Sequence, residues 1–281
     1  MHISVIIPAK NEAASIGDVV GRIRSALPKT EVIVVDDGST DRTPGLASEQ
    51  GAKVISHPQS LGNGAAVKAG ARAAEGEILV FLDADGQHDP ADIPRLLEKL
   101  DEGYDMVVGA RSSSSHANSA RLAANGIYNV IASMVTGHRV PDLTSGFRAV
   151  KADLFRKFLY LLPNGFSYPT TITMAFLRAG FPVTFLPIIA QKRKGKSHIK
   201  PVRDGLRFMV IIFKIATLYA PLKLFLPTSA LFFVTGAGYY LYSYATMGRF
   251  TNMTLLLFSA AVIVFLIGLI SEQITSLIYK D

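Results

Sequence analysis

Apolar residues occur in short runs along the first 110 positions, and each run ends in polar or charged residues. The clearest run extends from Ile78 to Leu82 and passes directly into Asp83. Short runs rich in branched and aromatic residues and bounded by charge predict strands that are buried on both faces of a parallel sheet. The same pattern predicts further strands at 2–7, 31–35, 53–55 and 105–109, with Pro8 ending the first.

Helical periodicity separates these runs. Between 12 and 27 the apolar residues from Ile16 to Ile23 recur on one stripe, and 62–74 is rich in small residues that would let a helix pack close to the sheet. A helix is also predicted at 92–100, after an Asp-Pro pair typical of a helix start. Strands that alternate with helices at this spacing predict an α/β fold with a doubly wound, mostly parallel sheet.

The regular alternation of strand and helix patterns ends after position 111. We expect a polar loop, a helix at 121–135, a strand following 142–148 and another strand ending near 186, before a basic loop at 191–199. Between 201 and 219 apolar residues alternate with basic ones. This pattern predicts amphipathic helices at 200–222 that lie in the plane of a membrane interface.

Two long stretches near the end contain no charged side chain. They comprise 25 residues between Lys223 and Arg249 and 22 residues between Arg249 and Glu272. At about 1.5 Å per helical residue, either stretch can cross a hydrocarbon core of about 30 Å. The sequence therefore predicts a membrane domain at 223–281 with transmembrane helices at about 224–246 and 252–272, after a folded domain at 1–199.

The net charge of +7 is localised in one segment. Positions 191–223 contain nine basic residues and one acid, whereas the rest of the chain contains 20 basic and 21 acidic residues. Basic residues next to a predicted span indicate anionic lipid rather than nucleic acid. By the positive-inside rule we expect an integral protein of the cell membrane with a cytoplasmic N-terminal domain, and the absence of cysteine agrees with that compartment.

Two carboxylates follow the central predicted strand. Because ligands of open α/β sheets bind beyond the carboxyl ends of the strands, Asp83 and Asp85 are placed to share a pocket with Gln87. Carboxylate and amide oxygens suit Mg²⁺ or Mn²⁺ better than zinc. Asp89 already provides the helix cap, so we expect the metal site at Asp83, Asp85 and Gln87, with the ion bridging a diphosphate.

Similar acidic clusters follow the first and second predicted strands, and the motifs that contain them occur in a specific order. These motifs are Pro8-Ala9-Lys10-Asn11-Glu12, Asp36-Asp37-Gly38-Ser39-Thr40-Asp41, Leu61-Gly62-Asn63-Gly64-Ala65-Ala66 and Asp83-Ala84-Asp85-Gly86-Gln87-His88. In these motifs the sequence resembles the family 2 glycosyltransferases of GT-A fold. With Gly109-Ala110-Arg111 and Thr144-Ser145-Gly146-Phe147, it is most similar to polyprenyl-phosphate sugar synthases of the dolichyl-phosphate mannose synthase type.

The resemblance implies a role for each matching residue. It implies that a nucleotide sugar is bound by Pro8, Ala9, Glu12, Val35, Asp37, Asp83 and Ala84. Arg111 and Arg121 match the arginines that bind the acceptor phosphate, and Asp142 matches a position near the reacting centre; together with Asp85 these are the expected catalytic residues. In the basic loop, Lys192, Ser197 and His198 would close over the diphosphate, although lysine and histidine replace the family's usual arginine and lysine there.

The resemblance implies an inverting transferase that moves one hexose to a polyprenyl phosphate such as dolichyl or undecaprenyl phosphate. The donor would be a nucleotide sugar of the GDP-mannose or UDP-glucose type, and the sequence does not choose between them or fix an oligomeric state, so a homo-oligomer stays open. Alternatives are a glycan or protein acceptor, a non-catalytic lipid-binding adaptor, or a processive polysaccharide synthase, whose usual motif contains a tryptophan that this chain lacks.

Overall fold

The computed structural model describes residues 2–111, 136–165, 167–189 and 219–278, with single residues at 126, 129, 130, 133, 213 and 217. The chain divides into two compact units, one formed by 1–134 with 138–200 and the other by 135–137 with 201–281. The first unit contains an α/β sheet and the second contains two long apolar helices.

Among the described residues the sheet has seven strands, in the order β3-β2-β1-β4-β6-β5-β7. The strands are β1 (Ile3–Ala9), β2 (Glu31–Asp36), β3 (Lys53–Ser56), β4 (Ile78–Phe81), β5 (Met106–Arg111), β6 (Arg148–Lys151) and β7 (Val183–Ile188). Of these seven described strands, only β6 runs antiparallel to its neighbours, β4 and β5. The prediction of a mostly parallel α/β sheet is confirmed, and β4 pairs in parallel with β1 and antiparallel with β6.

Helices connect the strands and cover the faces of the sheet. In the first unit they are α1 (Ile16–Ala26), α2 (Thr43–Glu49), α3 (Asn63–Ala73), α4 (Ile93–Asp101), α5 (Ala152–Lys157) and α6 (Tyr168–Arg178), with short 3-10 turns at Pro90–Asp92 and Leu159–Leu161. The Asp89 side chain accepts a hydrogen bond from the Ala91 N–H, so it caps the turn before α4 as expected. The first helix starts at Ile16, four residues later than the periodicity suggested.

The first strand continues through Pro8, so the prediction that this proline ends the strand is wrong. In a parallel strand the N–H and C=O of one residue face the same neighbour, and Ile6 C=O accepts from Leu82 N on the β4 side. Pro8, two residues later, faces that same side, where β4 has already ended at Phe81. Its missing N–H therefore costs no ladder hydrogen bond.

Helix α3 packs unusually close to the centre of the sheet. Gly70 lies against β1, and a Cβ atom at this position would stand 2.4 Å from Ile6 Cγ2. A larger residue would therefore push the helix away from the strands. The close approach confirms the expectation drawn from the small residues of this segment, and it fixes the N-terminus of α3 beside the end of β1.

The second unit is a hairpin of α7 (Pro221–Met247) and α8 (Asn252–Ile278). Both helices are long and apolar enough to cross a membrane, and most of their large apolar side chains are exposed. The prediction of two such C-terminal helices is confirmed; α7 begins three residues before its predicted start, and α8 ends six residues after its predicted end. The amphipathic segment predicted at 200–222 and the helix predicted at 121–135 lie largely outside the described residues.

Small and hydroxyl residues line the contact between α7 and α8 at seven-residue spacing. Apart from Pro221 at the start of α7, the buried positions are Ser229, Gly236 and Ser243 in α7 and Thr254, Ala261, Gly268 and Thr275 in α8. Ser229 Oγ donates to Ala261 O across the helices at 2.8 Å. Since lipid tails are as apolar as leucine, close packing of small residues and hydrogen bonds between helices hold such pairs together.

Candidate active site

A cleft of about 350 Å³ opens at the carboxyl ends of β1, β2 and β4. Seven residues predicted from the sequence line it, namely Pro8, Ala9, Glu12, Asp37, Asp83, Ala84 and Asp85. The structure thus brings together acidic side chains from the ends of three strands, as the sequence led us to expect. Val35 does not line the cleft, because its side chain is fully buried within the sheet.

Asp37 is buried at one wall of the cleft and holds the segment from 57 to 62. Its carboxylate receives hydrogen bonds from His57 Nδ1 at 2.9 Å, Ser60 Oγ at 2.7 Å, Leu61 N at 2.8 Å and Gly62 N at 2.9 Å. Burial by itself would raise the pKa of Asp37, but these hydrogen bonds outweigh it and lower the pKa to about 2. Asp37 is therefore an ionised anchor of the cleft wall.

Asp83 and Asp85 occupy the opposite wall, just beyond β4. The Asp83 side chain is 37% exposed, and Asp85 Oδ1 accepts from the Gln87 N–H at 3.1 Å. Gly146 packs directly on Asp83, since a Cβ atom at Gly146 would lie 2.8 Å from Asp83 Oδ2. The glycine thus leaves room for a carboxylate that faces the cleft.

The donor set fits a hard divalent cation that arrives with its substrate. Among the described residues, no group of three or more His, Cys, Asp or Glu side chains could hold an ion by itself. Mg²⁺ typically binds one or two carboxylates and takes its remaining ligands from water and substrate phosphates. Asp83 and Asp85 meet that requirement, whereas Gln87 does not line the cleft and its role as a ligand remains a prediction.

His88 packs beneath these carboxylates. Its ring stacks on Phe147 with centroids 5.3 Å apart, and its Nδ1 lies 3.9 Å from Asp83 Oδ2. Burial lowers the pKa of His88 despite the nearby charges of Asp83 and Asp85, so the ring is neutral near pH 7. Neither ring nitrogen has a hydrogen-bond partner in the described part of the chain.

Arg111 and Asp142 form a closed ion pair at the end of β5. Arg111 Nε lies 2.8 Å from Asp142 Oδ2, Nη2 lies 3.1 Å from Oδ1, and Nη2 also donates to Thr144 Oγ1 at 2.7 Å. Burial would raise the pKa of Asp142, but Arg111 outweighs this effect and lowers it. These contacts use only one edge of the guanidinium, so Nη1 can still point at a ligand while Asp142 orients the group.

Arg148 is a fully buried cation behind the site. Nη1 donates to Pro169 O and to Thr173 Oγ1, both at 3.1 Å, and Nη2 donates to Ser145 O. Within the described residues no carboxylate lies at ion-pair distance from this side chain, although buried arginines usually have one. Arg148 therefore ties the turn before β6 to the start of α6 through carbonyl and hydroxyl groups.

Several site residues were not predicted from the sequence. Lys10, Ser60, Gly62, Asn63 and Ala66 also line the cleft. Four of the five lie in the motifs quoted for the family resemblance, which gave them no role. Arg148 could have been recognised from the sequence, because it is a charged residue within the apolar run from Phe147 to Val150. A charged side chain buried in such a run needs a polar partner. Of the predicted residues, Arg121, Lys192, Ser197 and His198 lie outside the described part of the chain.

The sheet order, the acidic cleft beyond its parallel strands and the position of the paired carboxylates define a glycosyltransferase of GT-A type. The family model "Glycosyl transferase family 2" matches residues 4–159, more than half of the chain, and "GtrB C-terminal hairpin" matches residues 220–277. The chain belongs to glycosyl transferase family 2.

Curated relatives support this family and cover most of the chain. Polyprenol monophosphomannose synthase of Mycolicibacterium smegmatis is 31% identical over 228 residues, which is 75% of this chain and 84% of the relative. Glycosyltransferase AglJ of Haloferax volcanii is 30% identical over 293 aligned residues, covering 98% of this chain and 94% of the relative. Undecaprenyl-phosphate mannosyltransferase of Micrococcus luteus is 31% identical over 214 residues, which is 71% of this chain and 88% of the relative.

A solved structure with the same fold carries ligands. Glucosyl-3-phosphoglycerate synthase of Mycobacterium tuberculosis, in complex with Mn²⁺, UDP-glucose and phosphoglyceric acid, is 25% identical to this chain. It aligns with a TM-score of 0.61 over 76% of this chain and 78% of its own. That neighbour therefore combines a nucleotide sugar and a divalent cation on this fold.

Proposed function

We propose that this protein is a metal-dependent, inverting glycosyltransferase that moves one hexose from a nucleotide sugar to a polyprenyl phosphate at the cytoplasmic face of a membrane. The observation that carries the proposal is the cleft, in which carboxylates from the ends of β1, β2 and β4 converge in a chain that also contains an apolar hairpin. The relatives from Mycolicibacterium smegmatis and Micrococcus luteus are both named for sugar transfer to a polyprenyl carrier. Their names support a polyprenyl phosphate as the acceptor.

The donor would lie across the cleft with its nucleotide toward Pro8, Glu12 and Asp37. Asp37 keeps the 57–62 segment in place, while Asp83 and Asp85 would hold Mg²⁺ or Mn²⁺ against the diphosphate, with Gln87 as a further expected ligand. When bound, such an ion supplies positive charge that stabilises the departing nucleoside diphosphate.

The acceptor phosphate needs to be oriented by the protein and does not need to be deprotonated by a strong base. A lipid monophosphate is already anionic near neutral pH, so the task of the protein is to neutralise and aim it. Arg111 is suited to this task, since Asp142 and Thr144 fix one edge of its guanidinium. Arg121 is a second proposed phosphate ligand, and Lys192, Ser197 and His198 are proposed to close over the diphosphate. The hairpin of α7 and α8 would keep the enzyme in the bilayer that contains its acceptor.

The test is a transfer assay with purified full-length protein in lipid nanodiscs. Labelled UDP-glucose and GDP-mannose are supplied with Mg²⁺ or Mn²⁺ and either undecaprenyl or dolichyl phosphate. We expect lipid-linked sugar with the wild type and none with Asp85→Asn, whereas Asp101→Asn, an exposed residue at the end of α4, serves as the matched control. Transfer that survives removal of the metal by a chelator, or that proceeds equally well without polyprenyl phosphate, would contradict the proposal.

A further inference from the structure

The 162–165 segment lies across the start of α3 and caps this helix. Gly64 N donates to Gly165 O at 3.2 Å, and Ala65 N donates to Asn164 O at 2.9 Å. The first amides of a helix have no partner within the helix itself, so the two carbonyl groups of the segment satisfy them. A change in the backbone of the segment would therefore disturb the start of a helix that borders the cleft.

The contact between this segment and α3 leaves no spare room. A Cβ atom at Gly62 would stand 2.5 Å from Asn164 O, and a Cβ atom at Gly64 would overlap with Pro163 O. Surfaces packed this closely cannot take up an additional group unless one of them moves. The contact is accordingly sensitive to any modification that lengthens the backbone at position 164.

Asn164 is followed by glycine, and Asn-Gly is the pair in which an asparagine most easily loses its amide. The backbone nitrogen of the second residue attacks the side-chain amide carbon of the first, and a glycine places no side chain in the way and lets the backbone bend. The sequence contains three such pairs, at 63–64, 125–126 and 164–165. Asn125 lies outside the described residues, and the other two pairs can be compared directly.

The two described pairs differ at the attacking nitrogen. Asn63 and Asn164 are both exposed, so solvent access does not distinguish them. Gly64 is buried within α3, and its nitrogen is bonded to Gly165 O. Gly165 is exposed, and its own nitrogen donates to no other group in the described part of the chain. The helix therefore protects the first pair, whereas the second pair has its nitrogen available for attack.

Lys68 activates the amide of Asn164 from one turn further along α3. Its ammonium group donates to Leu162 O at 3.1 Å and to Asn164 Oδ1. A cation at the carbonyl oxygen draws electrons from the amide carbon and stabilises the negative charge that develops on the oxygen during attack. Asn164 thus combines a polarised amide with a neighbouring nitrogen that is available to attack it.

We propose that Asn164 is a site of spontaneous deamidation and that the reaction releases the 162–165 segment from α3. Gly165 N loses its proton and bonds to Asn164 Cγ, the Cγ–Nδ2 bond breaks, and the amide nitrogen leaves as ammonia with that proton. Water then opens the succinimide ring at either carbonyl carbon and returns a proton to Gly165 N, which gives aspartate or isoaspartate. Isoaspartate lengthens the backbone by one methylene, for which the contact with α3 has no room.

The test follows purified full-length protein in lipid nanodiscs during storage in mildly alkaline buffer. Peptide mass spectrometry measures the conversion of amide to acid at each asparagine, and methylation by protein-isoaspartate methyltransferase detects isoaspartate. We expect Asn164 to react at least about 10-fold faster than Asn63, a factor that ~1.4 kcal/mol of opening free energy for α3 would produce. Equal rates at the two positions, or an Asn164 that reacts in the urea-unfolded chain but not in the folded protein, would overturn the proposal.

Gly165→Ala is the matched variant. A Cβ atom at this position would meet no described atom within 4 Å, so the substitution should keep the segment in place while it hinders the attack. Hydrogen exchange at the Gly64 and Ala65 amides should become faster in stored wild type and stay unchanged in stored Gly165→Ala. Deamidation of the variant as fast as that of the wild type would overturn the assigned chemistry. Unchanged exchange in wild type that has accumulated isoaspartate at 164 would overturn the release of the segment.

Discussion

Asp37 and Asp83 stand at the ends of two strands and line the same cleft, yet their surroundings differ. Asp37 is buried and accepts four hydrogen bonds, which hold the 57–62 segment. Asp83 is partly exposed, and among the described residues none donates a hydrogen bond to its carboxylate. The difference teaches that an acidic residue after a strand can be either a structural anchor or a ligand-binding group, and that its hydrogen-bond partners distinguish the two.

The largest effect separating the two aspartates is expected for Asp83→Asn. The rate of sugar transfer should fall by about 1,000-fold, or ~4 kcal/mol in kcat/KM, because a charged group facing the diphosphate is lost. The free energy of unfolding should change by no more than ~0.5 kcal/mol, since Asp83 supports little of the fold. Steady-state kinetics and urea unfolding measure the two quantities, and Asp101→Asn is the control. An equally large loss of stability would make Asp83 an anchor as well.

Arg111→Ala tests how strongly a third carboxylate, that of Asp142, contributes to stability through its ion pair with Arg111. The change should lower the free energy of unfolding by ~3 kcal/mol, because it leaves the buried Asp142 carboxylate without its cation. Adding Asp142→Ala should cost clearly less than the sum of the two single changes. Chemical unfolding of the four proteins gives this coupling. Strict additivity would show that the pair does not stabilise the fold.

The pH dependence of stability should follow Asp37. Its pKa is about 2 in the folded protein and 3.8 in the unfolded chain, so the folded state favours the ionised form. The resulting stabilisation of ~2 kcal/mol is complete above about pH 4 and is lost as the pH falls from 4 toward 2. Asp37→Asn should be less stable at neutral pH by a similar amount and should lose this part of the acid dependence. Unfolding curves collected between pH 7 and pH 2.5 measure both effects, and an unchanged acid dependence would contradict the assignment.

The smallest effect is expected for Ser60→Ala, which removes one of the four hydrogen bonds to Asp37. Stability at neutral pH should fall by ~1 kcal/mol, and the pKa of Asp37 should rise toward its ordinary value. Carbon-13 NMR of labelled aspartate follows that titration. Ser39→Ala provides a comparison at a half-buried serine whose hydroxyl accepts a hydrogen bond from Asn11 N and does not contact Asp37. If both changes shifted the titration equally, the specific role of Ser60 would be rejected.

Much of the fold and half of the site could be predicted from sequence because the relevant signals are local. Strand runs, acidic ends and the long uncharged helices each occupy a few neighbouring positions. The features that the sequence did not predict correctly depend on residues that are far apart in the sequence. The course of β1 through Pro8 depends on where β4 ends, and the antiparallel place of β6 depends on a distant segment. A smaller pocket next to the cleft unites residues from four separate segments, at Asn63, Asp83, Thr144 and Ser167, and no local pattern reveals that they meet.

The position of β6 also bears on how the chain reaches its folded state. Strand β5 pairs only with β6 and β7 in the described sheet, although both follow it in the sequence. During synthesis, the segment ending at Arg111 therefore leaves the ribosome with β5 unpaired, and its exposed edges persist until about position 151 has emerged. A nascent chain arrested at 111 should accordingly be prone to association and a target for chaperones, whereas one that extends past 188 can complete its sheet.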